Sequence, residues 1–247
     1  MTAVDIQRNY KQIQERIAQT AISAGRDPKA VRLVVVTKGH GLDTVQEAIT
    51  AGARHLGENY VEEAAGKIQA CSDHPEIQWH MIGHIQSRKA RVVSEYFHWL
   101  HSLDSLKLAK RLDRFSGEIG RNLPVLLECN VSGEQSKSGF AAWEEISWPD
   151  LSAQVEQILA LPNLSVRGLM TMAPFLPDPE AARPYFIRLR RLGEFFAARF
   201  PPGTYPQSAW GELSMGMSAD FEIAIQEGAT LVRIGTAILG PRPIVEN

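Results

Sequence analysis

The hydrophobic pattern of this 247-residue chain switches repeatedly between the period of a helix and that of a strand. Residues 2–24 place Ile6, Tyr10, Ile13, Ile17 and Ala21 three and four apart. That spacing predicts an amphipathic helix, stopped near Gly25 and followed by a loop at Pro28. Leu33, Val34, Val35 and Val36 then form an unbroken apolar run. Four such residues, mostly β-branched, predict a strand buried on both faces. Asp43, with Gln46 three residues on, reads as the cap of a helix that buries Val45, Ala48 and Ile49.

The alternation repeats along the rest of the chain. A short strand is predicted over 54–57, and Asn59 reads as a helix cap with Glu62 in the capping-box position. Strands follow over 77–82, ending in Gly83-His84, and over 99–103, after which Asp104 or Ser105 caps a helix carrying Leu106, Leu108, Ala109 and Leu112. Residues 125–131, after Pro124, are again nearly all apolar. They lead into a polar loop at 132–139 and a helix near 151–161. A strand over 165–172 precedes a helix opened by Pro179 and capped by Asp178. A brief strand over 212–215, a helix capped by Ser218 with Phe221, Ala224 and Ile225 inside, and a last strand over 230–234 complete the pattern. Eight strands alternating with helices predict an α/β fold, a single (β/α)8 TIM barrel over residues 1–247 with an extra N-terminal helix. A doubly wound open sheet is the rival. No linker, low-complexity segment or charge block divides the chain.

Charge and composition narrow the function classes. Twenty-six Lys and Arg against 28 Asp and Glu give a net charge of −2, which exerts no global pull toward nucleic acid or an anionic membrane. Arg188, Arg190 and Arg191 cluster on a helical pattern and read as a solvated face. No apolar stretch is long enough to span a bilayer, and the N-terminus lacks the basic start and apolar run of a signal peptide. Cys71 and Cys129 make no disulfide framework. A cytoplasmic location is the expectation.

Catalytic and binding groups of a barrel lie at the C-terminal ends of its strands. Lys38 stands there after the first strand. The plain reading is a solvated lysine that ends a strand. The functional reading is a partly desolvated amine, its pKa lowered, able to form a Schiff base with an aldehyde. The ends of strands seven and eight add Ser214-Met215-Gly216, with Ser218 opening a helix, and Arg233-Ile234-Gly235-Thr236. Hydroxyls, glycines and helix starts at these two strands suit a phosphate. An amine opposite a phosphate nest describes a pocket for a phosphorylated aldehyde, and pyridoxal 5′-phosphate (PLP) is that molecule.

Other candidates read more plainly. His80 and His84 are four apart, but on a strand they share no helical face, so no metal site is expected. Glu58 reads as a carboxylate orienting backbone or solvent. Gly133–Gly139 lacks the order of a nucleotide-binding loop and reads as a structured rim. Cys129 reads as an inert core thiol, and Met215 and Met217 as packing.

These stretches resemble the YggS/PROSC family of pyridoxal-phosphate-binding proteins. The motifs run in family order over nearly the whole chain: Val36-Thr37-Lys38, Gly57-Glu58-Asn59-Tyr60-Val61, Trp79-His80-Met81-Ile82-Gly83-His84-Ile85-Gln86, His101-Ser102-Leu103-Asp104-Ser105, Asn130-Val131-Ser132-Gly133-Glu134 with Lys137-Ser138-Gly139, Gly168-Leu169-Met170-Thr171-Met172, Leu213-Ser214-Met215-Gly216-Met217-Ser218-Ala219-Asp220, and Val232-Arg233-Ile234-Gly235-Thr236. Gly39-His40 stands where the family often has a proline nearby, and Leu56 where phenylalanine is usual. The resemblance implies a barrel like the N-terminal domain of alanine racemase, with PLP held as an aldimine on Lys38. It implies Ser214, Gly235 and Thr236 at the phosphate with backbone of Met215 and Gly216, Asn59 near the ring, and Arg233 facing the pyridine nitrogen. It implies a role in PLP homeostasis, buffering PLP or delivering it to apo-enzymes, without robust catalysis, as a monomer or weak dimer. The alternative is an amino-acid racemase. Relatives of that kind take a second acid/base, a tyrosine, from a β-domain of another subunit. This chain ends at Asn247 just after the last strand, so a binding role is expected.

Overall fold

A computed structural model describes residues 4–201 and 203–242. The helix α1 (Ile6–Ser23) starts at the carboxylate of Asp5, which accepts the Arg8 N–H, and buries Ile6, Ile13, Ile17 and Ala21. Strand and helix then alternate: β1 (Arg32–Val36), α2 (Leu42–Thr50), β2 (His55–Glu58), α3 (Val61–Ala70), β3 (Gln78–Met81), α4 (Ala90–Tyr96), β4 (Trp99–Leu103), α5 (Leu106–Glu118), β5 (Leu123–Asn130), β6 (Phe140–Ala141), α6 (Trp148–Leu159), β7 (Leu164–Met170), α7 (Arg183–Arg199), β8 (Glu212–Ser214), α8 (Phe221–Gln226), β9 (Leu231–Ile234) and α9 (Thr236–Leu239). The ring runs β1-β2-β3-β4-β5-β7-β8-β9 and closes because β9 pairs with β1, all neighbours being parallel. This is the eight-stranded barrel that the alternation predicts, with helices between the strands. The two-residue β6 pairs with β5 outside the ring and was not legible in the pattern. Helix α1 packs against α2, α8 and α9, supporting the last βα unit from outside.

Three predicted caps sit elsewhere. Gly41 precedes α2, so Asp43 lies in the first turn. Tyr60 occupies the cap position of α3, one residue past Asn59. Asp220, not Ser218, stands at the cap of α8, and its carboxylate accepts the Met217 N–H at 2.6 Å. Helices α3 and α8 start one and two residues later than predicted because the turn from the strand is longer, whereas α2 starts two residues earlier, at Leu42. Periodicity fixes neither boundary.

The barrel interior is divided. One side is apolar: Val34, Leu126, Met170 and Leu231 pack with Trp99. The other side is a hydrogen-bonded row. His55 Nδ1 meets His80 Nε2 at 3.0 Å, His80 Nδ1 meets His101 Nε2 at 2.9 Å, and His101 Nδ1 meets the Ser214 hydroxyl at 2.9 Å. Arg233 closes the row, donating from Nη1 to Ser214 Oγ at 2.6 Å and from Nη2 to the Thr171 carbonyl at 2.9 Å. Arginine can only donate, so Ser214 accepts from it, and the remaining partner for the Ser214 hydroxyl proton among the described residues is His101 Nδ1. The protons then fall on Nε2 of His101 and of His80, each pointing down the row. Burial holds both imidazoles neutral, with pKa values well below the ordinary histidine range. Glu128, near the top of β5, moves the opposite way, pushed up to about 7 by burial and by Asp104.

These shifts set how stability responds to acid. An unfolded histidine protonates near pH 6.5, whereas His80 and His101 in the fold resist protonation. Their contribution is therefore complete above about pH 6.5 and is lost as pH falls, at about 1.4 kcal/mol per pH unit for each. Glu128 has a raised folded pKa, so its contribution is complete below about pH 4.3 and is lost as pH rises toward 7. Between about pH 4.3 and 6.5 it offsets part of the histidine loss. Glu128→Gln removes that offset. Urea midpoints measured from pH 7 to pH 5 should fall more steeply in the variant than in the wild type. Equal slopes would rule out a titrating Glu128.

Candidate functional site

The site begins where β1 stops. Thr37 bonds back to β2 through its N–H and the Gly57 carbonyl at 3.0 Å, and the chain turns over 37–40, closed by His40 N–H to Thr37 O at 3.1 Å. Gly39 takes φ +72 in that turn, a conformation suited to glycine. Lys38 projects from it, half-buried. Its pKa is lowered first by burial, then by Arg242 and Arg233, while Glu58 pulls it up.

A second lysine lies beneath this turn. Lys67, from the middle of α3, is buried, and each of its three ammonium protons has an acceptor. They are the Thr37 carbonyl at 2.8 Å, Glu58 Oε1 at 2.7 Å and Glu63 Oε1 at 2.6 Å. Glu58 Oε1 also accepts the Thr37 hydroxyl at 2.6 Å, and Glu63 Oε1 accepts the Gly39 N–H at 2.7 Å. The residues on either side of Lys38 are thus tied to one buried ion cluster. Burial raises the Glu58 pKa, and its bonds to Lys67 and Thr37 oppose that rise. Glu58 therefore orients a lysine and a turn, in keeping with its reading as an orienting carboxylate. Lys67 escaped the sequence reading. A lysine on an amphipathic helix reads as solvated, although Glu63 and Lys67 do have the i, i+4 spacing of a helical ion pair.

The β8 and β9 ends approach the same place. Gly216 has φ +91, and a Cβ there would come within 2.6 Å of the Ala224 Cβ. A Cβ on Gly235 would sit 3.0 Å from the Val36 carbonyl, so the loop after β9 packs against the strand that leads to Lys38. Thr236 opens α9 and is exposed, whereas Met215 and Gly216 are buried. The Ser214 hydroxyl is committed to Arg233 and His101. Arg233 is 5% exposed. Burial lowers its pKa to about 10, with Asp220 and Glu128 pulling upward, so it stays charged at neutral pH. Asn59 follows β2, its backbone packed against Gly83, and its side-chain oxygen is buried with no hydrogen-bond partner among the described residues.

The far side of the mouth carries two carboxyl groups, Asp104 and Glu128. His84 Nδ1 pairs with Asp104 at 3.0 Å, and Glu128 Oε2 is buried without a partner among the described residues. Asn130 organises the rim loop beyond β5, its Oδ1 accepting from Ser132 N–H at 3.1 Å and Gly133 N–H at 3.0 Å. His80 and His84 do not meet. The first lies in the interior row and the second at the mouth. Cys129 is buried, and its thiol pKa is raised by that burial. Among the described residues no helix is long and apolar enough to cross a membrane.

Comparison with known proteins agrees with this arrangement. The family model described as alanine racemase, N-terminal domain, matches residues 4–243. The pyridoxal phosphate homeostasis protein of Pseudomonas aeruginosa strain PAO1 is 44% identical over 241 residues, covering 96% of each chain. That of Escherichia coli K12 is 39% identical, covering 96% of this chain and 97% of its own. Among solved structures, PipY of Synechococcus elongatus PCC7942, determined with PLP bound, is 37% identical with a TM-score of 0.77, over 92% of this chain and 100% of that one. Alanine racemase from Corynebacterium glutamicum, at 16% identity and a TM-score of 0.65 over 98% of this chain and 62% of its own, shares the fold. With its barrel, its strand-end lysine and full-length relatives of this kind, the chain belongs to the alanine racemase N-terminal domain family and, within it, to the pyridoxal phosphate homeostasis proteins.

Proposed function

We propose that this protein binds PLP through Lys38 and serves PLP homeostasis by buffering the cofactor and delivering it to apo-enzymes. The observation that carries this reading is Lys38 itself. It is a half-buried amine of lowered pKa, held at a strand end beside the Gly216 and Gly235 loops. The residues present fit the cofactor. PLP supplies an aldehyde that condenses with a primary amine, releasing water, and a pyridine ring that delocalises charge. A lowered lysine pKa provides the unprotonated amine that this condensation needs. Gly216 and Gly235 leave backbone where a side chain would intrude, and the buried Asn59 oxygen awaits a donor.

In this reading Thr236 and the backbone of Met215, Gly216 and Gly235 hold the phosphate. Ser214, its hydroxyl engaged, contributes by fixing Arg233. Arg233 faces the pyridine nitrogen and, remaining charged, keeps that nitrogen unprotonated. A ring held so is a weak electron sink, which favours carrying over racemisation. The relative solved with PLP bound supports the ligand, and the relatives' common name supports the role. The two buried cysteines suit a reducing cytoplasm.

Borohydride reduction of the PLP-loaded protein and peptide mapping should place the pyridoxyl adduct on Lys38, and Lys38→Ala should give none. An adduct chiefly at another lysine would sink the assignment. Thr236→Val keeps the shape and removes one hydroxyl hydrogen bond to a charged group, worth about 1.5–3 kcal/mol. PLP affinity should then fall about ten- to a hundredfold, with unphosphorylated pyridoxal little affected. Equal losses for both ligands would count against the phosphate site. Proton exchange at Cα across a panel of amino acids should stay well below ordinary enzyme turnover of about 1–10³ s⁻¹. Exchange within that range that vanishes in Lys38→Ala would restore the racemase reading.

A further inference from the structure

The turn that carries Lys38 has little to hold it internally. One backbone hydrogen bond closes it, and it contains a glycine at φ +72. Left alone, such a turn would sample many directions for the Lys38 side chain. What restrains it is Lys67. The α3 helix is anchored in the core through Val61 and Ala64, and Lys67 reaches back from it to the turn. One bond lands on the carbonyl of residue 37. A second is relayed through Glu63 to the N–H of residue 39. A third is relayed through Glu58 to the Thr37 hydroxyl. We propose that Lys67 is the positioning residue for Lys38: its buried ammonium holds the turn on both sides of Lys38, so that the Lys38 amine is presented to an incoming aldehyde.

Two features separate this from an ordinary structural ion pair. A buried ion pair can often be exchanged for apolar residues at no loss of stability, so stability alone does not call for one here. The cluster's bonds also converge on backbone and hydroxyl of residues 37 and 39, the immediate neighbours of Lys38, and not on a distant element. Its charges are unequal, one ammonium against two carboxylates. Removing Lys67 alone would therefore leave two acids facing each other beneath the turn, and a test must compensate for that. The inference rests on Lys38 being the aldehyde acceptor.

The test uses the full-length apo protein and two probes. PLP reports covalent attachment together with the other contacts. Pyridoxine 5′-phosphate, which lacks the aldehyde, reports the ring and phosphate contacts alone. In the charge-compensated variant Lys67→Met/Glu58→Gln, PLP affinity and borohydride trapping on Lys38 should fall about tenfold or more, as for the loss of hydrogen bonds to a charged group. Pyridoxine 5′-phosphate affinity should be retained. A folded variant that loses both ligands equally, or neither, overturns the inference. A second measurement stands even if that variant does not fold. Among the described residues the Gly39 amide bonds to Glu63, so slow exchange of its hydrogen reports that bond, and its loss in a Glu63 variant identifies the bond as the cause. The wild type should protect that amide. Glu63→Ala, which changes a partly exposed side chain, should release it and weaken PLP alone. An unprotected Gly39 amide in the wild type overturns the clamp. Absence of any Lys38 adduct in the wild type would instead overturn the functional reading, and Gly39 exchange would still decide the clamp.

Discussion

A permanent cation sealed inside a parallel barrel governs the chemistry of this molecule. Arg233 points inward near the top of the ring with almost no solvent contact. Burying such a charge is expensive unless its donors are met. Among the described residues the barrel meets two of its five N–H donors with a hydroxyl and a carbonyl, Ser214 Oγ and Thr171 O, and sets Asp220 and Glu128 near enough to favour the charge. The effect then spreads outward. His101 bonds to the same hydroxyl and is held neutral by burial and by Arg233. Lys38 is biased toward its free-amine form by burial, by Arg242 and by Arg233.

The histidine row follows from that cation. Something polar must accept from Ser214 and continue across the interior, yet a further positive charge beside Arg233 would be repelled. A neutral imidazole is both acceptor and donor, so three of them can pass hydrogen bonds across the interior without adding charge. The apolar half of the barrel, Val34, Leu126, Met170 and Leu231, needs no such device.

How much of this was legible in the sequence depended on the range of the interaction. The apolar run before Lys38 and the one along β5 announce strands buried on both faces, and the strand-helix alternation announces the barrel. Placing functional groups at strand ends then brings Lys38, Asn59, Ser214, Arg233 and Thr236 into view. The helix caps failed because periodicity does not fix the length of the βα turns, which is longer than predicted before α3 and α8 and shorter before α2. His55, His80 and His101 come from three different strands, and only the closed ring brings their nitrogens to within about 3 Å of one another. Lys67 was hidden for a related reason. Its helical position looks solvated until β1 and β2 fold over it with Thr37 and Glu58.

The order of strands around the ring explains why the mouth is chemically lopsided. β8, β9 and β1 are neighbours, so the Gly216 loop, Arg233 with the Gly235 loop, and Lys38 stand side by side, and Asn59 follows on β2. Across the ring, Asp104 follows β4 and Glu128 lies on β5. In the proposed reading, Lys38 for the aldehyde and backbone with Thr236 for the phosphate are separate anchors on the β8-β9-β1 side of the ring. Breaking one at a time would keep every step of release smaller than the sum of both.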